Sequence, residues 1–230
     1  MSIKMKCKVV TFEEVYRMIR KVANDVKASA YRATTVVGLA RGGWIPARIM
    51  CDFLGITDLV SLKVEHWLQT GKTKDEATIK YPLNTDFSGK RVLVVDDITD
   101  TGKSLITSTN YLRRLNPSKM KVATMQYIPM SQFKPDFFAE KVKVWTWFIY
   151  PWNWIEDTST LIVRLMNTKK DNEWRFRAID MGLNDLFEIK WNQAMLRDIL
   201  NIMVDRDQII KELSEVEVVY KLKKVKVIQL

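Results

Sequence analysis

Arg91-Val92-Leu93-Val94-Val95-Asp96-Asp97-Ile98-Thr99-Asp100-Thr101-Gly102-Lys103-Ser104 is the stretch on which the reading of this chain turns. Its first half is apolar and β-branched without alternation, the pattern of a strand buried on both faces of a parallel sheet. Such a strand delivers its C-terminal end to the crevice where open α/β sheets bind ligands. There the sequence places two adjacent carboxylates, Asp96 and Asp97, and a third at Asp100. Neighbouring side chains on a strand point in opposite directions, so both acids can face one ligand only where the strand breaks into loop. A carboxylate pair suits ribose hydroxyls, directly or through a divalent cation. Thr101-Gly102-Lys103-Ser104 then opens a helix. Backbone N–H groups, a positive dipole end, two hydroxyls and a permissive glycine together cradle a phosphate. The glycine spacing of the nucleoside-triphosphate loop is missing. A turn with a purely structural job has no need of three carboxylates that repel one another.

Upstream, Thr34-Thr35-Val36-Val37-Gly38-Leu39 reads as a second buried strand, ending in Arg41-Gly42-Gly43. A helix follows from about Ile45 to Leu54 and stops at Gly55. Near the start, Lys8-Val9-Val10 is a short strand, and Thr11-Phe12-Glu13-Glu14 matches a capping box. Val15, Met18, Ile19, Val22 and Val26 follow it at helical spacing. Asp58–Val64 predicts a strand, and Gln69–Asp86 a hairpin or mobile loop. Downstream, a helix runs to Leu115, closed by Asn116-Pro117, and Val122–Ile128 and Val142–Phe148 predict two more strands. This alternation defines an α/β fold, a mostly parallel sheet flanked by helices. Beyond Asp157 the texture changes. Leu161–Met166, Leu183–Val204 and Gln208–Leu213 predict helices, and Val216–Ile228 a two-faced strand or hairpin. The expected organisation is an α/β core over 1–157 and a mainly helical appendage over 158–230.

The composition, 47% apolar and 28% charged residues in 230, is that of a globular protein. No stretch reaches the ~20 apolar residues of a membrane span. The charged opening Met1-Ser2-Ile3-Lys4-Met5-Lys6 does not read as a signal peptide, and a cytoplasmic location is expected. Cys7 and Cys51 stand isolated among core-like neighbours, which argues against a disulfide framework or a metal site. His66 is the single histidine, so a multi-His zinc site is excluded. Of the net +10 charge, residues 1–157 carry 24 Lys/Arg against 16 Asp/Glu, and residues 158–230 carry 13 against 11. The excess is spread along the chain rather than gathered in a basic arm. It fits an anionic small substrate, and neither nucleic acid nor membrane is an expected partner.

The stretch from Val94 to Ser104 resembles the motif with which type I phosphoribosyltransferases bind 5-phosphoribosyl 1-pyrophosphate (PRPP). Gly38-Leu39-Ala40-Arg41-Gly42-Gly43 resembles that family's pyrophosphate loop, and the likeness covers roughly residues 8–157. It implies the type I phosphoribosyltransferase fold, with a hood over the core. Asp96 and Asp97 would orient the ribose and hold Mg²⁺, directly or through ribose hydroxyls or water. Thr99, Thr101, Gly102, Lys103 and Ser104 would bind the ribose phosphate. Ala40, Arg41, Gly42 and Gly43 would take the pyrophosphate, with a non-proline cis peptide at Ala40–Arg41. Asp100 would be the general base. The substrates implied are PRPP and a purine base, the products a nucleoside monophosphate and pyrophosphate, and the assembly a homodimer. The polar stretch Lys63–Lys80 matches the family's flexible lid in position.

Within the family, the sequence after the PRPP motif looks like the branch acting on hypoxanthine, guanine and xanthine. Trp147-Phe148-Ile149-Tyr150-Pro151-Trp152 resembles its hood strand, with Trp147 as stacking platform, Phe148 offering backbone groups to the ring edge, and Trp145, Trp152 and Trp154 as core. Two positions depart from that branch. Ile128 stands where a lysine donates to the base's O6, and Asn153 is the nearest match to a hood aspartate. Adenine presents a donor at position 6, where a lysine would meet donor with donor, so Ile128 favours adenine. A 6-oxopurine is the alternative. A PRPP-sensing regulator is the alternative of another class, its tail imitating a winged helix.

Overall fold

The computed structural model describes residues 4–69, 72–169, 173–214 and 217–223, the side chains of 66–69 and 72–76 excepted. In chain order come β1 (Cys7–Val9), α1 (Phe12–Ala28), β2 (Thr35–Ala40), α2 (Trp44–Leu54), β3 (Leu59–Gln69) and β4 (Lys72–Tyr81). They are followed by β5 (Arg91–Thr99), α3 (Lys103–Arg113), β6 (Lys119–Tyr127), β7 (Phe137–Lys141), β8 (Trp147–Ile149) and α4 (Trp154–Met166). Last come β9 (Trp174–Arg175), α5 (Phe176–Phe187), α6 (Gln193–Asp205), β10 (Ile209–Leu213) and β11 (Val218–Leu222). Contacts gather these elements into two compact units. One is Thr11–Trp145, and the other joins the described residues up to Val10 with those from Thr146 onward.

The first unit is built on a six-stranded sheet of order β4-β3-β2-β5-β6-β7. Every pairing in it is parallel except β3–β4, the hairpin that occupies much of the stretch resembling a lid. Residues 70 and 71 and the side chains around them, His66 included, lie outside the described residues. All six residues of β2 are buried, as its unbroken apolar run demands of a strand covered on both faces. On one face Val37, Leu39, Val92, Val94 and Val122 pack with Phe87 and with Leu105 and Leu112 of α3. On the other, Val95, Ala123 and Met125 meet Ile19 and Val22 of α1 and Pro46 and Met50 of α2. The capping box of α1 is formed, Glu14 N–H donating to Thr11 Oγ1 (3.2 Å) and Thr11 N–H to Glu14 Oε2 (2.9 Å).

The second unit pairs β1 with β8 in parallel and carries a three-stranded antiparallel sheet of order β10-β11-β9. Helix α4, strand β9, helices α5 and α6, then a hairpin whose second strand is central, is the connectivity of a winged helix. The chain turns between α5 and α6 at Glu188, in the left-handed region at φ 57°. Asn192 then caps α6 by accepting from Met195 N–H at 2.7 Å.

Several sequence expectations shift here. Gln208–Leu213 is not helical, because Ile209–Leu213 pairs residue for residue with Val218–Leu222. Leu183–Val204 is broken by the turn at Glu188 into two helices. Val142–Phe148 contributes only the start of β8, since β7 ends at Lys141. Trp145 is 47% exposed rather than core. The hood strand and α4, expected with the α/β core, pack with the C-terminal elements. Residues 224–230, the end of the expected terminal strand, lie outside the described residues.

Candidate active site

Strand β2 hands its chain to β3 on one side, and β5 hands its chain to β6 on the other. The sheet's order of travel therefore reverses between β2 and β5, the place where open α/β sheets leave a crevice at their C-terminal edge. Pairing between these two strands ends at Gly38↔Val95. Beyond Val95, β5 keeps its partner β6 as far as Thr99↔Tyr127 but has lost β2. Asp96 and Asp97 sit on this one-sided extension. Contrary to the sequence expectation, the strand itself does not break at the acids. It is the neighbour that ends.

The two motifs close on each other across that opening. A Cβ built on Gly42 would overlap the carboxylate of Asp97, so the pyrophosphate-loop backbone and this acid are in direct contact. A Cβ on Gly43 would strike the carbonyl oxygens of Val95 and Leu39, backbone that cannot rotate away. One on Gly38 would come within 2.8 Å of Ala47 Cβ, so glycine there lets α2 lie close on β2. The Ala40–Arg41 peptide is cis, at the position the sequence indicated, and Arg41 is exposed.

The acids are held by the strand's own backbone. Asp97 N–H donates to Asp96 Oδ1 at 3.0 Å, and Ile98 N–H donates to Asp97 Oδ1 at 2.8 Å. Burial, and then the adjacent Asp97 charge, hold the Asp96 carboxyl well above its ordinary value. Burial also raises the Asp100 carboxyl, the direction that makes its carboxylate a stronger proton acceptor. Among the described residues no cluster of three or more His, Cys, Asp or Glu side chains could hold a metal. Two adjacent carboxylates without a cage suit Mg²⁺, which takes one or two protein carboxylates and fills its shell with water and substrate oxygens.

The phosphate cradle begins at Gly102, the N-cap of α3, with φ 83°. It supplies no side-chain cap, and α3 has no acid in its first turn, so no side-chain carboxylate of that turn offsets the positive end of the helix. Thr101 Oγ1 accepts from Lys103 N–H at 3.4 Å, and Ser104 is half-buried in the first turn. A feature the sequence did not reveal lies beneath: Gln132 N–H donates to Thr101 O at 3.1 Å, and a Cβ on Gly102 would meet Ser131 Oγ at 2.6 Å. The loop after β6 thus packs against the cradle. No local pattern in Ser131-Gln132-Phe133 announces that contact.

Thr99 is a correction. It is 1% exposed, and its hydroxyl donates to Thr124 Oγ1 at 3.2 Å, inside the sheet. The continued strand turns this side chain inward, away from any ribose phosphate. Ile128 is 6% exposed and its N–H donates to Thr99 O at 2.9 Å, which ties the end of β6 to the end of β5. The remaining candidates, Trp147, Phe148 and Asn153, belong to the second unit. Trp147 N–H donates to Lys6 O at 2.9 Å, and the rings of Phe148 and Tyr150 stack at 6.3 Å. Asn153 precedes α4, its N–H donating to Tyr150 O at 2.8 Å.

A carboxylate pair and a helix N-terminus without a side-chain cap at the switch point of a mostly parallel sheet mark an α/β protein with the parts of a phosphate and polyol site. The pattern described as phosphoribosyl transferase domain matches residues 10–156, and the chain belongs to that family. A xanthine-guanine phosphoribosyltransferase of Idiomarina loihiensis is 30% identical over 145 residues, 63% of this chain and 85% of that protein. One from Cereibacter sphaeroides is 30% identical over 152 residues, again 63% of this chain and 85% of that protein. Among solved structures, a purine phosphoribosyltransferase from Pyrococcus horikoshii aligns with a TM-score of 0.57 at 30% identity. That alignment covers 65% of this chain and 95% of the other.

Proposed function

We propose that the chain makes a purine mononucleotide and pyrophosphate from a free purine base and PRPP. The contact of Gly42 with the Asp97 carboxylate carries this reading, because it brings the pyrophosphate loop and the ribose acids to one crevice. Asp96 and Asp97 orient the ribose hydroxyls and balance the positive charge that develops on the ring as the C1–pyrophosphate bond breaks. Thr101, Gly102, Lys103 and Ser104 hold the 5-phosphate, and Arg41, Gly42 and Gly43 the pyrophosphate. Asp96 and Asp97 would hold Mg²⁺, directly or through ribose hydroxyls or water, and the ion would supply positive charge to the departing pyrophosphate. Asp100 accepts the proton that the base's imidazole ring releases as its nitrogen attacks.

Two observations bear on the base, and they point apart. The relatives are named for xanthine and guanine, which supports a 6-oxopurine, and none of those described above is named for adenine. The residue at position 128 supports adenine. A 6-oxopurine needs a donor at O6, and the buried isoleucine there supplies none from its side chain, while its N–H is engaged with Thr99 O. The names rest on similarity over the whole domain, whereas the choice between these bases turns on one or two hydrogen bonds. We therefore put adenine first and the 6-oxopurine second.

The test is a panel of adenine, hypoxanthine, guanine and xanthine with PRPP and Mg²⁺. Adenine is expected to lead in kcat/KM by at least ~10²-fold, the scale of one hydrogen bond made against one left unmade. Ile128→Lys is expected to depress adenine turnover. Preference for guanine, hypoxanthine or xanthine defeats the base assignment and leaves the transfer reaction standing. A regulator is the reading that the winged-helix connectivity favours. Against it, residues 176–207, which span both helices of the helix-turn-helix, hold four Lys/Arg and six Asp/Glu. That balance repels phosphate backbones. PRPP binding with no turnover of any base, and a DNA mobility shift at moderate salt, would reverse the order.

A further inference from the structure

The loop between β6 and β7 presses on the start of α3. Ser131 N–H donates to Ile128 O at 3.0 Å, closing a turn with Pro129 in its second position. The Ser131 hydroxyl accepts from Phe133 N–H at 3.1 Å, a second and tighter turn. Between them stands Gln132, whose N–H donates to Thr101 O at 3.1 Å. Phe133 packs against the apolar cluster that holds Leu105 and Leu112 of α3, which anchors the far side of the loop. The approach is closest at Gly102, where a Cβ would lie 2.6 Å from Ser131 Oγ and 2.7 Å from Phe133 N.

We propose that Ser131 is a positioning residue for the 5-phosphate, acting through Gln132 N–H on the Thr101–Gly102 peptide. This inference rests on the reading that Thr101, Gly102, Lys103 and Ser104 hold that phosphate. The Thr101–Gly102 peptide is trans, so its carbonyl and its N–H point in opposite directions. With Thr101 O drawn to Gln132, Gly102 N–H is aimed away from the loop, to the side left for a ligand. Helix α3 does not fix that carbonyl itself, because its first turn closes on the next one, Ile106 N–H donating to Gly102 O at 2.9 Å. A glycine at φ 83° leaves the peptide free to turn unless an outside donor holds it. The Ser131 hydroxyl keeps that donor in place by folding the chain around Gln132. Backbone N–H groups already aimed when phosphate arrives bind it more tightly, since ordering them on binding would offset part of the interaction.

The experiment compares wild type with Ser131→Ala, which removes the hydroxyl, and Ser131→Thr, which keeps it. Calorimetric Kd is measured for ribose 5-phosphate and, separately, for pyrophosphate, each with Mg²⁺. Hydrogen exchange is followed by mass spectrometry in peptides covering 129–135 and 38–44. Ser131→Ala is expected to speed exchange in 129–135 but not in 38–44. It should weaken ribose 5-phosphate by about fivefold, the scale of one hydrogen bond, and leave pyrophosphate within about twofold. Ser131→Thr should bind both within about twofold of wild type. Unchanged ribose 5-phosphate affinity in Ser131→Ala overturns the proposal, whatever exchange shows. Equal weakening of both ligands also overturns it, since a general loosening of the fold would do that. So does equal weakening by Ser131→Thr, because the hydroxyl would then not be the cause. Wild type that binds pyrophosphate and not ribose 5-phosphate removes the phosphate reading of the Gly102 cradle, and the proposal falls with it.

Discussion

The end of β5 and the sheet of β9, β10 and β11 treat their acidic residues in opposite ways. In Thr11–Trp145, three acids converge within five positions at the end of β5, and burial lifts the carboxyls of Asp96 and Asp100 above their ordinary range. Around the sheet of β9, β10 and β11 four acids lie beside cations on the surface. Arg175 meets Glu217 at 2.8 Å, Lys221 lies between Glu173 (2.9 Å) and Glu212 (2.8 Å), and Lys223 meets Asp207 at 2.7 Å. Exposed pairs of this kind cost and contribute little, so they carry no chemical message. A cluster of like charges at a strand end is unfavourable for the fold alone and becomes favourable with a cation or a polyhydroxyl ligand in place. The difference separates a region shaped by its substrate from one shaped by its own packing.

Substitutions can break that contrast or sharpen it. The largest effect is expected at Asp100. Asp100→Ala should lower kcat by roughly 10²–10⁴-fold with calorimetric PRPP affinity retained, and near-normal turnover would remove Asp100 from proton transfer. The wild-type profile carries a sign as well. A raised carboxyl is protonated at higher pH than usual, so kcat/KM should fall as pH drops through a value above 3.8, and Asp100→Asn should abolish that limb. Next comes Gly42→Ala, whose methyl would displace the Asp97 carboxylate while the backbone keeps an ordinary φ. Loss of about 10² in kcat/KM for PRPP with an unchanged melting temperature is expected.

Gly102→Val should act on the fold before it acts on the ligand. Its φ of 83° and the approach of Ser131 and Phe133 leave no room for a side chain, and a loss of roughly 2 kcal/mol is expected in a denaturant titration. Full stability with weakened PRPP binding would show that the loop yields. Tyr31→Phe is milder. It removes the hydroxyl that donates to Val92 O at 2.7 Å and should cost about 1 kcal/mol. Burial pushes this phenol up to about 12, so the wild type alone should lose this contribution as pH rises from 10 to 12. The smallest effect belongs to the other unit. Arg175→Gln, cutting an exposed pair, should change stability by less than ~0.5 kcal/mol, and a larger loss would undo the comparison drawn above.

The legible parts were those whose physics is local. The apolar run Val92–Val95 gave the central strand, Thr11-Phe12-Glu13-Glu14 the helix start, and Arg41-Gly42-Gly43 the end of β2 before α2. Thr99 was misread because its direction depends on β5 continuing alongside β6 after β2 has stopped, a long-range fact. Ile209–Leu213 was misread because five residues hold too little of any period, and the hairpin partner decided the matter. The contact of Ser131 and Phe133 with Gly102 leaves no sequence trace at all. The hood strand was recognised, but its allegiance to the C-terminal core was not, since nothing near Trp147 names Leu200 or Tyr220 as neighbours.

The pairing of β1 with β8 also sets an order of events during synthesis. Cys7 must wait for Trp147, and at ~5–20 residues per second the chain between them takes roughly 7 to 28 seconds to emerge. Thr11–Trp145 is complete in sequence before β1 has its partner β8, so β1 is made ahead of that unit and paired after it. Its alternation of Cys7 and Val9 with lysines at 6 and 8 keeps that waiting segment charged. The charge guards an unpaired edge against joining another nascent chain.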